Sequence, residues 1–379
     1  MSEKAIKSFS VDRTVAKTDA AERLRRADKQ PEVVDEAPRT DDWRDGKRHL
    51  HLSAKRGKSL RFCASMHPEY VCCSIRVLDA VSNCPFDCTY CFLQSYLTDT
   101  TVQVVAEVDA LLDEVRAAIA GEPGRFWRIG TWELGDSLAL EPLTGTAAAL
   151  VRGFADLDSA VLELRTKSDR VEELIDLDHR GRTVVGWTLS PQSVIRTEEL
   201  GTASAERRLA AMARVVRAGY PVSVHFDPLI LHDGWRENYD ELIGQLFDAV
   251  PADRIAWISI GALRFNPEMK KLVVANYPKS GITTPEMVLG GDGKVRYVKP
   301  LRVELFERVV REIRERTEGD DLLYLCMERW DMWRRVLGQV PESSAHLDYL
   351  IAESLHRRFP GMVPREPERS AYEPRDARR

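Results

Sequence analysis

A repeated alternation of β-branched runs and helical stretches constrains this chain more than any other feature of it. Candidate strands are 74–81 (SIRVLDAV), 125–132 (RFWRIGTW), 160–167 (AVLELRTK), 182–190 (RTVVGWTLS), 221–228 (PVSVHFDP), 254–263 (RIAWISIGAL) and 322–327 (LLYLCM). Helical patterns lie between them, at 107–120, 205–219 and 237–250 among others. Strand then helix, repeated about six times, is the pattern of a parallel sheet with helical crossovers. No GxGxxG follows the first strand, so a dinucleotide-binding sheet is not indicated. The reading is an α/β fold, a partial (β/α)6-type TIM barrel with N- and C-terminal extensions. In such barrels the chemistry sits at the C-terminal ends of the strands. Each candidate residue is therefore tested by whether it falls where a strand ends.

The flanks read differently. Residues 1–48 are charge-rich and lack a sustained apolar period, which suggests a disordered or loosely packed arm. Residues 49–360 are assigned to the barrel with a C-terminal hairpin and helices. Residues 361–379, rich in Pro, Arg and Glu, read as a disordered tail. No apolar run approaches the roughly 18 residues that span a bilayer, and the first residues carry no apolar signal-peptide core. The expected location is cytoplasmic, with no membrane partner. The net charge of -5 argues against coating nucleic acid through bulk charge, though a local basic groove is compatible with it. In a reducing compartment, seven cysteines point to metal binding or catalysis rather than to disulfides.

Three of those cysteines carry the strongest signal. Cys84, Cys88 and Cys91 stand in C-x3-C-x2-C spacing directly after the first strand of the repeat. Three thiolates on one loop can hold three irons of a [4Fe–4S] cluster and leave the fourth iron open. The alternative is a structural zinc site completed by Cys72, Cys73 or His67. Structural zinc usually uses paired C-x2-C units or two histidines. No second such pair exists here, and the adjacent Cys72 and Cys73 point different ways in a strand.

The cysteine spacing, with the aromatic Tyr90 before the third cysteine, resembles the radical S-adenosylmethionine (SAM) superfamily. The run Cys91-Phe92-Leu93-Gln94 resembles one branch of it, the spore photoproduct lyase family. Arg165-Thr166-Lys167-Ser168, Ala218-Gly219-Tyr220-Pro221, the stretch from Asp227 to Trp235, and Leu263-Arg264-Phe265 resemble the same branch. The resemblance implies a partial barrel of the radical SAM type. It also implies a [4Fe–4S] cluster on Cys84, Cys88 and Cys91 whose open iron chelates SAM, with Tyr90 beside the cofactor. Reductive cleavage of SAM would then give a 5′-deoxyadenosyl radical. In that branch the substrate is a methylene-bridged thymine dimer in DNA. The implied partners are DNA and an electron donor such as flavodoxin or ferredoxin.

Two positions depart from the branch. Its members carry a hydrogen-donating cysteine at the second strand end and a relay tyrosine after the third cluster cysteine. Here those places hold Glu133 and Phe92. A carboxylate O–H is too strong to give a hydrogen atom to a carbon radical, and a phenyl ring has no O–H. Glu133 is expected instead to accept hydrogen bonds from the SAM ammonium, with a strand-end ion pair as the alternative.

Other candidates follow from their places. Lys167 ends the third strand, where the resemblance puts a contact to the SAM carboxylate. Ser190 follows the fourth strand and could reach the SAM ribose, or simply form a turn. His232, between Asp227 and Asp233, could titrate near neutral pH and act in catalysis, or cap a loop. Arg264 could hold a phosphate or SAM. Residues 290–299 read as a hairpin around an Asp-Gly turn, whose Lys294, Arg296 and Tyr297 could meet nucleic acid. Cys63, Cys72, Cys73 and Cys326 are each most simply small buried residues. Cys326, at the end of a late strand, is also a candidate hydrogen donor.

Overall fold

All seven β-branched runs form strands. The computed structural model describes residues 6–40, 42–63, 66–317 and 322–373. Strands are numbered along the chain. The main sheet contains β4 (Leu60–Phe62), β5 (Arg76–Leu78), β9 (Trp127–Gly130), β10 (Ala160–Thr166), β11 (Thr183–Thr188), β13 (Val222–Leu229), β14 (Ile255–Ala262) and β18 (Leu323–Leu325). Its order is β18-β14-β13-β11-β10-β9-β5-β4. The seven strands from β5 to β18 run parallel in sequence order, and β4 pairs antiparallel with β5 at the edge. The sheet curls into a half-barrel and stays open between β4 and β18.

Every residue of β11 and β14 is buried. That is expected where crossover helices cover one face and the barrel interior the other. The helical patterns become Val108–Gly121, Ala205–Arg217 and Trp235–Ala249. Ala205–Arg217 starts at Ser204, whose hydroxyl accepts from the Arg207 N–H and satisfies one of the helix's open donors.

The N-terminal stretch corrects the expectation of a loose arm. β1 (Ser8–Asp12), β2 (Glu32–Val34), β3 (His49–Ser53), β6 (Val81–Ser82) and β8 (Val102–Val105) form a second sheet in the order β2-β1-β3-β8-β6. The helix Asp19–Arg26 buries Ala20, Ala21 and Leu24, and Arg23 Nε donates to the Pro142 carbonyl at 3.0 Å. Few apolar residues are enough here because they all face one layer. The tail is likewise attached as far as it is described. Met362, Val363 and Tyr372 are buried, and the Tyr372 hydroxyl accepts from the Phe126 N–H. Residues 1–5 and 374–379 lie outside the described residues.

Two small sheets complete the frame. β7 (Asp87–Cys88) pairs antiparallel with β12 (Glu199–Leu200). β15 (Arg264–Phe265), β16 (Met287–Leu289) and β17 (Val295–Tyr297) form a three-stranded sheet. The β16–β17 hairpin closes through Gly290 N–H donating to the Lys294 carbonyl at 2.8 Å, as the Asp-Gly turn leads one to expect. Among the described residues no helix is long and apolar enough to cross a membrane.

Candidate active site

Because the seven strands run parallel, their C-terminal ends share one rim. Glu133 lies just past β9, Lys167 past β10, Ser190 past β11, Arg264 past β14 and Cys326 past β18. The cysteine loop follows β5 and β6 onto the same rim. Cys88 packs with Phe86 and Ala139, and Cys84, Tyr90 and Cys91 pack against that group. Asn83 opens the loop with φ +64, a left-handed conformation that Asn tolerates better than most residues. Its side-chain carbonyl accepts from the Cys84 N–H at 2.8 Å. Gly135 lets a neighbouring loop approach closely. A Cβ there would lie 2.8 Å from Val81 Cγ1 and 2.9 Å from the Asn83 carbonyl.

The loop is pinned by charges that the sequence gives no sign of burying. β7–β12 pairing sets Cys88 opposite Glu199. Glu199 Oε1 accepts from Ser190 Oγ at 2.8 Å and from the Tyr90 hydroxyl, while Oε2 accepts from Arg208 Nη2 at 2.5 Å. Arg208 is 0 % exposed and Glu199 1 %. Burial alone would raise the Glu199 carboxyl, but Arg208 and then Lys167 hold it below the usual range. One residue earlier, Glu198 Oε2 accepts from Thr89 Oγ1 at 2.5 Å and from Ser280 Oγ at 2.6 Å.

Burial and nearby lysines act on the loop cysteines in opposite directions. Burial pushes the Cys88 thiol up to about 12, and Lys167 and Lys47 pull against it. Burial also raises Cys84, followed by the effect of Asp136, with Lys47 opposing. Lys47, which follows the short helix Trp43–Gly46 ahead of β3, donates to the Phe86 carbonyl inside the loop. Lys167 Nζ stands 5.6 Å from the Tyr90 ring centroid. Two cations beside three thiols suit thiolates bound to iron. Among the described residues no three His, Cys, Asp or Glu side chains converge tightly enough to hold one metal ion. The zinc alternative thus finds no preassembled ligand set, whereas a [4Fe–4S] cube asks each thiolate for a different iron. Cys72 and Cys73 lie with Cys63 instead.

Several expected roles change. Glu133 is 7 % exposed; its Oε2 accepts from Arg61 Nη1 at 2.5 Å and its Oε1 from Cys63 Sγ at 3.2 Å. Arg61 also grips Asp79 through two bonds of 2.7 and 2.9 Å. A carboxylate already matched to a guanidinium is a weak partner for an ammonium, so the ion-pair alternative describes it better. Ser190 is buried and its hydroxyl pairs with Glu199 Oε1 at 2.8 Å. Tyr297 is fully buried and its hydroxyl accepts from the Leu231 N–H at 3.2 Å. Arg296 is buried against Asp292 and donates to the Met327 carbonyl. Both side chains are thus engaged within the protein. Lys294 is half-buried near Arg264, and burial followed by that like charge lowers its pKa. His232 Nδ1 pairs with the Ile230 carbonyl at 2.9 Å and Nε2 with Asn238 at 3.0 Å, the loop-capping alternative.

Arg264 and Cys326 meet. Arg264 Nη1 donates to Asp227 Oδ1 at 2.9 Å, and Nη2 lies 3.2 Å from Cys326 Sγ. Burial would raise Asp227, but Arg264 holds it far below the usual carboxylate range. Deeper in the barrel, Glu163 Oε1 accepts from Ser223 Oγ and pairs with His225 Nε2, both at 2.6 Å, and Oε2 accepts from Trp132 Nε1 at 2.9 Å. Burial opposes this charge, yet His225 and Ser223 bring the carboxyl down to about 2.

An open parallel half-barrel with three loop cysteines on its C-terminal rim defines a radical SAM class of enzyme. The profile of the family described as "SPL: Spore photoproduct lyase" matches residues 33–315, about three quarters of the chain. The chain belongs to the spore photoproduct lyase family, a family of radical SAM lyases. It is 27% identical to the spore photoproduct lyase of Bacillus subtilis (strain 168) over 248 residues, 64% of this chain and 70% of that one. It is 26% identical to that of Geobacillus sp. (strain Y412MC61) over 208 residues, 54% of this chain and 61% of the relative. The fold matches a spore photoproduct lyase complexed with dinucleoside spore photoproduct, with a TM-score of 0.73, 22% identity, and coverage of 84% of this chain and 98% of that chain. A mutant of that enzyme with bound AdoMet and the dinucleoside matches with a TM-score of 0.73 and 21% identity, over 84% and 98% of the two chains.

Proposed function

We propose that this chain reverts a methylene-bridged thymine photoproduct in DNA by SAM-dependent radical chemistry. The carrying observation is the three-cysteine loop, fixed on the barrel rim by Glu198 and Glu199 and flanked by Lys47 and Lys167. Cys84, Cys88 and Cys91 would hold three irons of a [4Fe–4S] cluster. When bound, the cluster and SAM supply a 5′-deoxyadenosyl radical that takes a hydrogen atom from the substrate.

The chain's own part is placement and exclusion of water. Lys167 presents a cation at the rim where an anionic cofactor group would bind. Tyr90 lies between that lysine and Glu199, so its ring walls the cofactor side while its hydroxyl is tied back. Lys294 and the Arg264–Asp227 pair lie further round the same rim, where a phosphodiester would pass. A flavodoxin or ferredoxin is the electron donor in this reading. The test is anaerobic reconstitution with iron and sulfide, then reaction with dinucleoside spore photoproduct under reduction. Thymine dinucleotide and 5′-deoxyadenosine are the expected products. SAM cleavage without thymine release would assign the chain another substrate, and a protein that binds no iron would refute the reading.

A further inference from the structure

Four of the seven cysteines lie outside the cluster loop, and three of them, Cys63, Cys72 and Cys73, stand in the connection between β4 and β5. Cys63 ends β4 and Cys73 precedes β5, so the antiparallel pairing of those strands sets them side by side. They share a small apolar group with Ile75, Val77 and Trp132. The Cys72 thiol lies against those of Cys63 and Cys73. Cys63 Sγ is 3.2 Å from Glu133 Oε1, at the end of the second barrel strand. Phe62, beside Cys63, is 52% exposed, while Cys63 itself is buried on the opposite face of the chain.

A reaction that leaves a carbon radical on its product needs a hydrogen-atom source. A thiol S–H is weak enough to supply one, whereas a carboxyl O–H or an aryl C–H is not. On the assumption that the photoproduct reading above holds, we propose that Cys63 is the hydrogen-atom donor of this enzyme, with Glu133 as the positioning group for its thiol. Cys326 is the less suitable thiol. Arg264 Nη2 sits 3.2 Å from its sulfur inside the buried Arg264–Asp227 pair, which fixes it there.

The S–H bond of Cys63 breaks and a C–H bond forms on the product, leaving a thiyl radical on Cys63. One electron from the low-potential donor and one proton from solvent restore the thiol. With the electron that cleaves SAM, each lesion consumes two electrons, one proton and one SAM. SAM is therefore a co-substrate, used one for one.

The test compares the parent with Cys63→Ser and Cys326→Ser, serine keeping size and hydrogen bonding while removing the weak S–H bond. In the Cys63→Ser protein, 5′-deoxyadenosine still forms while thymine dinucleotide falls by about 100-fold, the scale on which a lost reacting group is felt. The parent forms one 5′-deoxyadenosine per dinucleotide repaired and takes one deuterium into the product in D2O. Repair by Cys63→Ser at the parental rate, or loss of repair in Cys326→Ser alone, overturns the assignment. So does parental repair of many lesions per SAM. A parent that cleaves SAM but repairs nothing refutes the substrate reading itself and this proposal with it. A second readout needs no cofactor. Mild oxidation of cluster-free protein with diamide should give a Cys63–Cys72 disulfide by peptide mass mapping. Recovery of both as free thiols would overturn the placement.

Discussion

Replacing Arg208 by methionine should destabilise the fold and loosen the cysteine loop together. Arg208 is completely buried and makes five hydrogen bonds within 3.0 Å or less, to Glu199, Thr202, Ala203 and Thr188 and, through its helix, to Ser204. Methionine fills similar space with no donor. Among the described residues the Glu199 carboxylate then keeps Ser190 and Tyr90 as side-chain donors, and it loses the Arg208 countercharge. Breaking a buried pair by removing one partner costs about 3–5 kcal/mol. Glu199→Gln, which strands the arginine instead, belongs to the same range. The double variant should cost at least about 2 kcal/mol less than the sum of the two, since residues in one network couple strongly. The assay is urea unfolding of cluster-free protein followed by tryptophan fluorescence, with iron content measured after reconstitution. The loop should lose iron in both single variants, because Glu199 holds Tyr90 by its side chain and Cys88 by its backbone. A loss below about 1 kcal/mol in Arg208→Met, the range of an ordinary hydrogen bond, or full iron content in that variant, would refute the pinning argument.

Three further outcomes are expected. Glu163 is held down to about 2 from 4.5, so its charge stabilises the fold above about pH 4.5 and this contribution disappears as pH falls toward 2. Over that window the parent should lose about 3 kcal/mol more than Glu163→Gln in acid titration followed by circular dichroism; equal losses would mean the carboxyl is not held down. Glu133→Gln should leave SAM affinity within about twofold by calorimetry, because its carboxylate faces Arg61; a tenfold loss, about 1.4 kcal/mol, would restore the ammonium role. Single alanine substitutions of Cys84, Cys88 and Cys91 should each remove the visible absorption of the reconstituted protein, and a brown Cys88→Ala protein would contradict three-cysteine ligation.

The barrel was legible because its strands carry their own signal. RTVVGWTLS and RIAWISIGAL are β-branched and apolar throughout, and a strand buried on both faces needs no partner to be recognised. The N-terminal sheet was not. SFSVD and HLHLS mix polar residues into five-residue strands, and what secures them is pairing across about forty residues, which no local window contains. The cluster cysteines stood out by spacing, but the groups that pin their loop did not. RTEELGT reads as a solvated surface run, and nothing local shows that Glu198 and Glu199 are buried. Cys63, Cys72 and Cys73 carry no motif spacing of their own. The available signal was that Cys63 and the Cys72-Cys73 pair flank two short strands able to form an antiparallel pair.

The pairing of β6 with β8 gives the cysteine loop an unusual history. Val81 lies opposite Val104 and Ser82 opposite Gln103, so everything from Asn83 to Thr101 is one long excursion whose ends are clasped in the second sheet. Closing a loop of that length costs chain entropy, and here ordinary backbone pairing carries that cost. In small metalloproteins that fold only around their metal, the ion must organise the chain as well as bind it. In this chain the scaffold comes first. A cluster on Cys84, Cys88 and Cys91 would then enter a loop whose two ends are already clasped by backbone pairing.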